Sequence, residues 1–285
     1  MGRAGRGRPG LSIRMTVALA LPRHQRARGM GRIGTQVLDG RTRLTTLFQE
    51  GCAKIRLPHT HDASLQAVLI NTAGGLTGGD EVHWEAEAAP GARMVLTTQA
   101  CERVYRSLGD DAEVSTRLRV RAGAHVDWLP QETILFEGGR LNRSLEVELE
   151  EGASLFAVEA ILLGREAMGE DARNAHLTDN WRIRRKGRLI HAEATRLSAD
   201  PLERDGLSLL DGRLAFATLL HVGAMAERKL ERVRPLLGDE AGASLVGERL
   251  VVRAVAASGL ALRKIIAPII AELSGAGALP RLWHL

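Results

Sequence analysis

A chain of 285 residues, 45% of them hydrophobic, is long enough to bury a substantial core as one large domain. Only two cysteines, Cys52 and Cys101, and no apolar run near the roughly 20 residues of a bilayer span argue against a disulfide scaffold or membrane helix and for a reducing, cytoplasmic setting. The net charge of +5 is unevenly placed: residues 1–34 hold eight arginines and no acid, so the rest of the chain carries 31 basic against 34 acidic side chains.

That Gly/Arg-rich stretch reads as a disordered basic tail, or as an early start with Met15 or Met30 as alternatives. It lacks the aromatic residues on which single-stranded nucleic acid stacks, so no nucleic-acid partner is expected. Its apolar run at 16–21 is followed by Arg23, Arg26 and Arg28 where a small-residue cleavage site would lie, which argues against a secretory signal. Residues 35–285 then read as one β-rich domain.

Within it, His59 and His61 flank Thr60 beside Asp62, a pattern whose imidazoles and carboxylate suit nickel, zinc or copper. Next comes Asn-Thr-Ala-Gly-Gly-Leu-Thr-Gly-Gly-Asp at 71–80. Its glycine density resembles a phosphate cradle, but Asp80 stands where a P-loop has lysine, and the alternating segment 81–88 is a strand, not a helix. The loop is therefore a backbone corner that places Asp80.

A repeat follows. Alternating strands at 82–88, 116–121 and 144–149 each run into a Gly-Ala pair, at 91, 123 and 152, and a second strand leaves it. A weaker copy surrounds Gly187. Charged residues on alternate positions mark strands with one wet face, and the spacing near thirty predicts layered, repeat-like antiparallel sheets. Seven or eight residues after each of the three glycines the outgoing strands carry a polar group, Gln99, Gln131 and Glu159, the first two followed by Glu102 and Glu132, inside apolar surroundings. Buried carboxylates need partners, so groups recurring at one level are candidates for a shared interior channel or contact surface. Beyond residue 205, strands at 213–222 and 250–255 alternate with amphipathic helices at 224–237 and 260–273, the helices interrupted by Pro235 and Pro268. The fold class is thus mainly β (α+β), with a small C-terminal helical elaboration.

No nucleophile elbow or Ser/His/Asp order is present. Glu102, Glu132 and Glu159 could in principle supply paired carboxylates, but four Trp, one Tyr and four Phe leave few stacking platforms for sugars. The scattered His83, His125, His176, His191 and His221 read as solvated strand positions, and Cys101 as a small core residue.

The segments at 69–80, 96–107 (Leu-Thr-Thr-Gln-Ala-Cys-Glu-Arg-Val-Tyr-Arg-Ser), 128–136 (Trp-Leu-Pro-Gln-Glu-Thr-Ile-Leu-Phe) and 163–170 (Leu-Gly-Arg-Glu-Ala-Met-Gly-Glu) closely resemble the urease accessory protein UreD family, called UreH in some bacteria. The stretches 40–44, 47–51 and 280–283 fit as well, so the likeness covers roughly residues 35–285; Cys101 departs from the small non-sulfur residue usual there. The resemblance implies a non-catalytic cytoplasmic chaperone for metallocentre assembly, with no membrane partner. Such proteins bind apo-urease and recruit UreF, which engages the nickel-carrying GTPase UreG. It further implies no tightly bound cofactor, nickel held only transiently, and a β-rich fold enclosing a polar passage. Asp80, Glu102, Glu132 and Glu159 are the expected lining, with Thr97, Thr98 and Gln131 as neutral neighbours. Each also reads as a hydrogen-bonded polar group at a strand end. The alternative is a standalone β-sheet hydrolase or ligand-binding protein using Glu102, Glu132 and Glu159.

Overall fold

The computed structural model describes residues 1–2, 25–277 and 279–284. Most of the expected basic tail lies outside the described residues. Its last part does not: the first strand, β1 (Arg28–Leu38), begins inside the span read as tail. It turns through Asp39 and Gly40, both at positive φ, into β2 (Arg41–Gly51), the two-residue loop whose twist matches an antiparallel hairpin. A second antiparallel pair, β3 (Ala53–Arg56) and β4 (Leu65–Asn71), leads to the glycine loop.

Three coils follow. Strands β5 (Glu81–Ala88) and β6 (Arg93–Thr98) form the first, continued by the short β7 (Glu102–Val104). The second holds β8 (Ala112–Val120), β9 (His125–Leu129) and β10 (Thr133–Leu135); the third holds β11 (Arg140–Leu149) and β12 (Ser154–Leu163). At each corner glycine adopts the left-handed conformation, Gly91 at φ +70, Gly123 at +64 and Gly152 at +66, and the next alanine is buried. The corners stack, the Gly91 N–H donating to Ala122 O and the Gly123 N–H to Glu151 O. One left-handed residue carries the chain from one sheet to the other.

The fourth copy behaves differently. Between β13 (His176–Arg185) and β14 (Arg188–Ser198) both Lys186 and Gly187 have positive φ, so the chain folds back as a hairpin within one sheet. The chain then passes through α1 (Pro201–Asp205), β15 (Ala215–Val222), α2 (Ala226–Val233), β16 (Ala241–Val246), β17 (Arg249–Ala256) and α3 (Gly259–Leu273). Pro235 closes α2 in a single 3-10 turn, whereas α3 runs on through Pro268.

The mainly β, layered, repeat-like architecture with a C-terminal helix holds, but the antiparallel expectation needs correction. The first sheet runs β14-β13-β11-β8-β5-β1-β2 and the second β16-β17-β15-β12-β9-β6-β4-β3, with β7 and β10 at the side. Between coils the pairing is parallel: β5 with β8, β8 with β11, β11 with β13, and β6 with β9, β9 with β12. A chain that crosses to the other sheet on every turn returns in its original direction, so stacked coils cannot alternate. Antiparallel pairs occur where hairpins or returning strands close the ends.

The first sheet has one wet face and alternates; the second is covered on both faces. Residues such as Leu145, Trp181 and Trp128 fill the space between the sheets, whereas Phe156, Val158 and Leu219 pack against Ile266 and Ile270 of α3 on the far side. Hence β5 reads in alternation while 155–158, Leu-Phe-Ala-Val, is continuously apolar.

Candidate functional site

The glycine loop is a corner, as its sequence indicates. Gly74, Gly75 and Gly79 have positive φ, and a side chain at Gly75 would collide with the Tyr105 ring and Arg103 O. The loop packs on the next coil, the Leu76 N–H donating to Arg103 O and the Gly79 N–H to Asp111 O. Asp80 is buried and both its oxygens are engaged: Oδ1 accepts from the Ala27 N–H and Oδ2 from the Thr77 N–H, each at 2.8 Å. It fastens the loop to the start of β1.

The other polar groups of the outgoing strands divide between two faces of the second sheet. On the helix side, Glu132 pairs with Arg263 of α3 at 2.8 Å, and the same nitrogen of Arg263 donates to Gln131 Oε1 at 3.1 Å. Arg263 also donates to Leu282 O and lies over the Trp283 ring, whose N–H reaches Leu129 O at 3.0 Å. Cys101 belongs here too, not in the core: its thiol donates to Glu132 at 3.4 Å, and burial followed by that carboxylate pushes it up to about 11. Thr97 donates to Leu129 O, and Thr98 accepts from the Gln131 N–H, so both threonines tie adjacent strand ends.

On the inner face, between the sheets, Glu102 accepts from the Asn71 amide at 3.2 Å. Burial pushes it up to about 7 against that hydrogen bond, with Asp80 adding to the rise. Glu102 stands level with Thr133 on the neighbouring strand. Thr133 accepts from Arg143 at 3.1 Å, and Arg143 bridges Glu159 and Asp179, each at 2.6 Å. Glu159 in turn accepts from the Trp128 N–H at 3.0 Å. Burial raises the Glu159 carboxyl against the pull of Arg143, and the two carboxylates overcome burial to keep the guanidinium protonated. Glu159 is level with Thr218, and Thr218 with Arg253. Arg253 donates to Thr218 and pairs with Glu193 at 2.6 Å, beside a surface cavity of about 250 Å³ between β14, β15 and β17. A line of polar groups thus runs across the strands of the second sheet, on its inner face, from Glu102 to Arg253.

The structure therefore brings Glu102 and Glu159 to one interior line, with Glu132 and Gln131 across the sheet and Asp80 in a loop. Sequence reading missed Arg143, Asp179 and Arg263. The first two carried a signal: each occupies an inward position of an alternating strand, between Leu141 and Leu145 and between Leu177 and Trp181. His59 and His61 lie exposed on the loop before β4, and among the described residues no group of three or more His, Cys, Asp or Glu side chains is placed to hold a metal. His125 and His221, read as solvated, are instead buried. His125 is held between Ser154 and Asp127, and burial drives His221 down to about 3. No helix among the described residues is long and apolar enough to cross a membrane.

The profile of the family described as UreD urease accessory protein matches residues 27–284. A urease accessory protein UreD of Chelativorans sp. (strain BNC1) is 64% identical over 263 residues, covering 92% of this chain and 95% of the relative. That of Rhizobium rhizogenes (strain K84 / ATCC BAA-868) is 55% identical across 95% of this chain and all of the relative, and that of Agrobacterium fabrum (strain C58 / ATCC 33970) is 49% identical over 92% and 93%. With four motif segments, one family profile and near-full-length relatives in agreement, the chain belongs to the UreD family of urease accessory proteins.

Proposed function

We propose that this chain is a non-catalytic scaffold that binds apo-urease, joins UreF and the GTPase UreG in a maturation complex, and hands nickel through its interior to the urease active site. The observation that carries the reading is the line of oxygen groups between the sheets, half-buried at Glu102 and buried at Thr133, Glu159, Thr218 and Glu193. A β-sandwich interior is normally apolar, because each buried charge costs several kcal/mol of desolvation, of order 1–3 kcal/mol even for a neutral group left unpaired. Carboxylate and hydroxyl oxygens hold nickel less tightly than imidazole and thiolate, which suits cargo that has to be released. Membership of an accessory-protein family supports the same reading. The hydrolase alternative gains nothing from the geometry, since Glu132 faces α3 while Glu102 and Glu159 face the opposite sheet.

The test is co-production of urease with the other accessory proteins, with and without this chain. Urease that is fully nickel-loaded and active without it would rule the proposal out. Within the complex, Glu159→Ala and Glu132→Ala should retain apo-urease capture and lower the nickel content of urease, with the larger fall at Glu159. Loss of capture by both would assign these residues to the framework instead.

A further inference from the structure

Arg143 sits where a cation with two charges would be better matched. One guanidinium meets two carboxylates end-on, Nη1 with Glu159 and Nη2 with Asp179, and no carboxylate receives the parallel two-bond fork that arginine forms best. The side chains of Arg143, Glu159 and Asp179 are 8, 6 and 7% exposed, so water does little to compensate a mismatch. A mismatch there is: Asp179 Oδ1 and Arg143 Nε are buried without a hydrogen-bond partner. The charges do not balance either, one positive group against two negative ones. Burial pushes the Glu159 carboxyl upward against the pull of Arg143, and the neighbouring Asp179 carboxylate adds to the rise.

Resting on the nickel-transit reading above, we propose that Glu159 and Asp179 form a latent divalent-cation site and that Arg143 is its built-in counter-ion, which a passing cation displaces. A divalent ion balances the two carboxylates fully. It also gives the open Asp179 Oδ1 a partner, with Thr133 Oγ1, which accepts from the same Arg143 nitrogen that pairs with Glu159, as a third oxygen. The oxygen-only donor set makes the site weak for nickel and easily vacated. Arg143 is then a positioning residue: by occupying the site at rest it prevents a cation from being trapped between the sheets, and by carrying like charge it lets an arriving ion replace it without leaving either carboxylate bare. A purely structural triad would close its hydrogen bonds, and this one leaves two groups open.

The experiment compares the full-length wild-type chain with Arg143→Met, using Ni²⁺ alone in equilibrium dialysis at neutral pH. The variant should hold one Ni²⁺ per chain more than wild type, should melt at a higher temperature with Ni²⁺ than without, and should lose both effects when Glu159→Gln and Asp179→Asn are added. A folded Arg143→Met chain with no additional ion overturns the proposal. If Arg143→Met does not fold even with Ni²⁺, Asp179→Asn decides. That variant keeps the Arg143–Glu159 pair and removes the surplus carboxylate, so urease matured with it should contain severalfold less nickel although the variant remains folded. Wild-type loading by Asp179→Asn, in cells where deleting the whole chain abolishes loading, overturns the cation site and leaves the transit reading standing. Loading that does not depend on the chain at all removes the transit reading itself.

Discussion

The two faces of the first sheet use the same chemistry to different effect. On the wet face Arg32, Glu85, Arg117, Glu146 and Arg182 stand side by side on successive strands, an alternating row set by the parallel register. Its contacts range from 2.7 Å between Arg32 and Glu85 to 3.4 Å and 3.9 Å from Arg117 to Glu146 and Glu85, and all stand in water, the Arg32 and Arg117 side chains being 49 and 62% exposed. On the inner face of the same strands Arg143 and Asp179 stand side by side at 2.6 Å, nearly out of water, with Glu159 reaching across from the other sheet. Residue type and register are alike; solvation is not. Exposed pairs gain little over water and are screened by salt, whereas a buried charge without its partner costs several kcal/mol. The outer row lines the wet face of a sheet whose register the backbone ladder sets, and the inner cluster is where a single substitution matters.

The largest effect expected from this contrast is that of Arg143→Met, which strands two buried carboxylates. Urea unfolding at neutral pH without added metal should show a loss of about 3–5 kcal/mol. A loss below about 1 kcal/mol would mean that the interior is as well solvated as the surface, and the contrast would fail. An intermediate effect belongs to Glu102, which lies on the interior line yet is only half-buried. Its folded value of about 7 lies above the ordinary 4.5, so the folded state binds the extra proton between those values. The stability it contributes is present below the lower value and is lost as pH rises through the upper one. Glu102→Gln should therefore match wild type in acid and be more stable by about 1–3 kcal/mol at alkaline pH, read from denaturant midpoints across pH. Equal stability of the two proteins at high pH would show that Glu102 is not desolvated. The smallest effect is that of Arg117→Ala in the outer row, about 0.5 kcal/mol or less and shrinking as salt is added.

The sequence carried the outer row openly, because alternation of charge with apolar residues is what a half-wet strand produces. It also carried the three glycine corners and the continuity of the apolar outgoing strands. Sheet direction was less legible: alternation has the same period in parallel and antiparallel ladders, and only the path of each coil across the sandwich makes its neighbours parallel. At the Lys186–Gly187 turn a second left-handed residue beside the glycine turned an apparent fourth coil into a hairpin. The candidate site was half legible. Glu159 and Gln131 were legible from their distance to a corner glycine, and Glu102 and Glu132 as acids just beyond such a position, but nothing in that spacing says which face of the strand a side chain takes. Arg143 and Asp179 stood at inward positions of their alternating strands and were passed over among the many outward charges. Arg263 had no local signal, since its partners Gln131 and Glu132 lie about 130 residues away in the chain.

What the sequence determined by itself is local: the corners, the wet and dry positions of each strand, and the motifs that give the family. These follow from φ preferences and from burial with period two, which act within a few residues. Only the tertiary structure decided that two strands of the first sheet and one of the second bring Arg143, Asp179 and Glu159 together, and that α3 closes over Glu132. Such pairings depend on the stacking of coils some thirty residues apart and on the exclusion of water between two sheets, neither of which exists until the chain has folded.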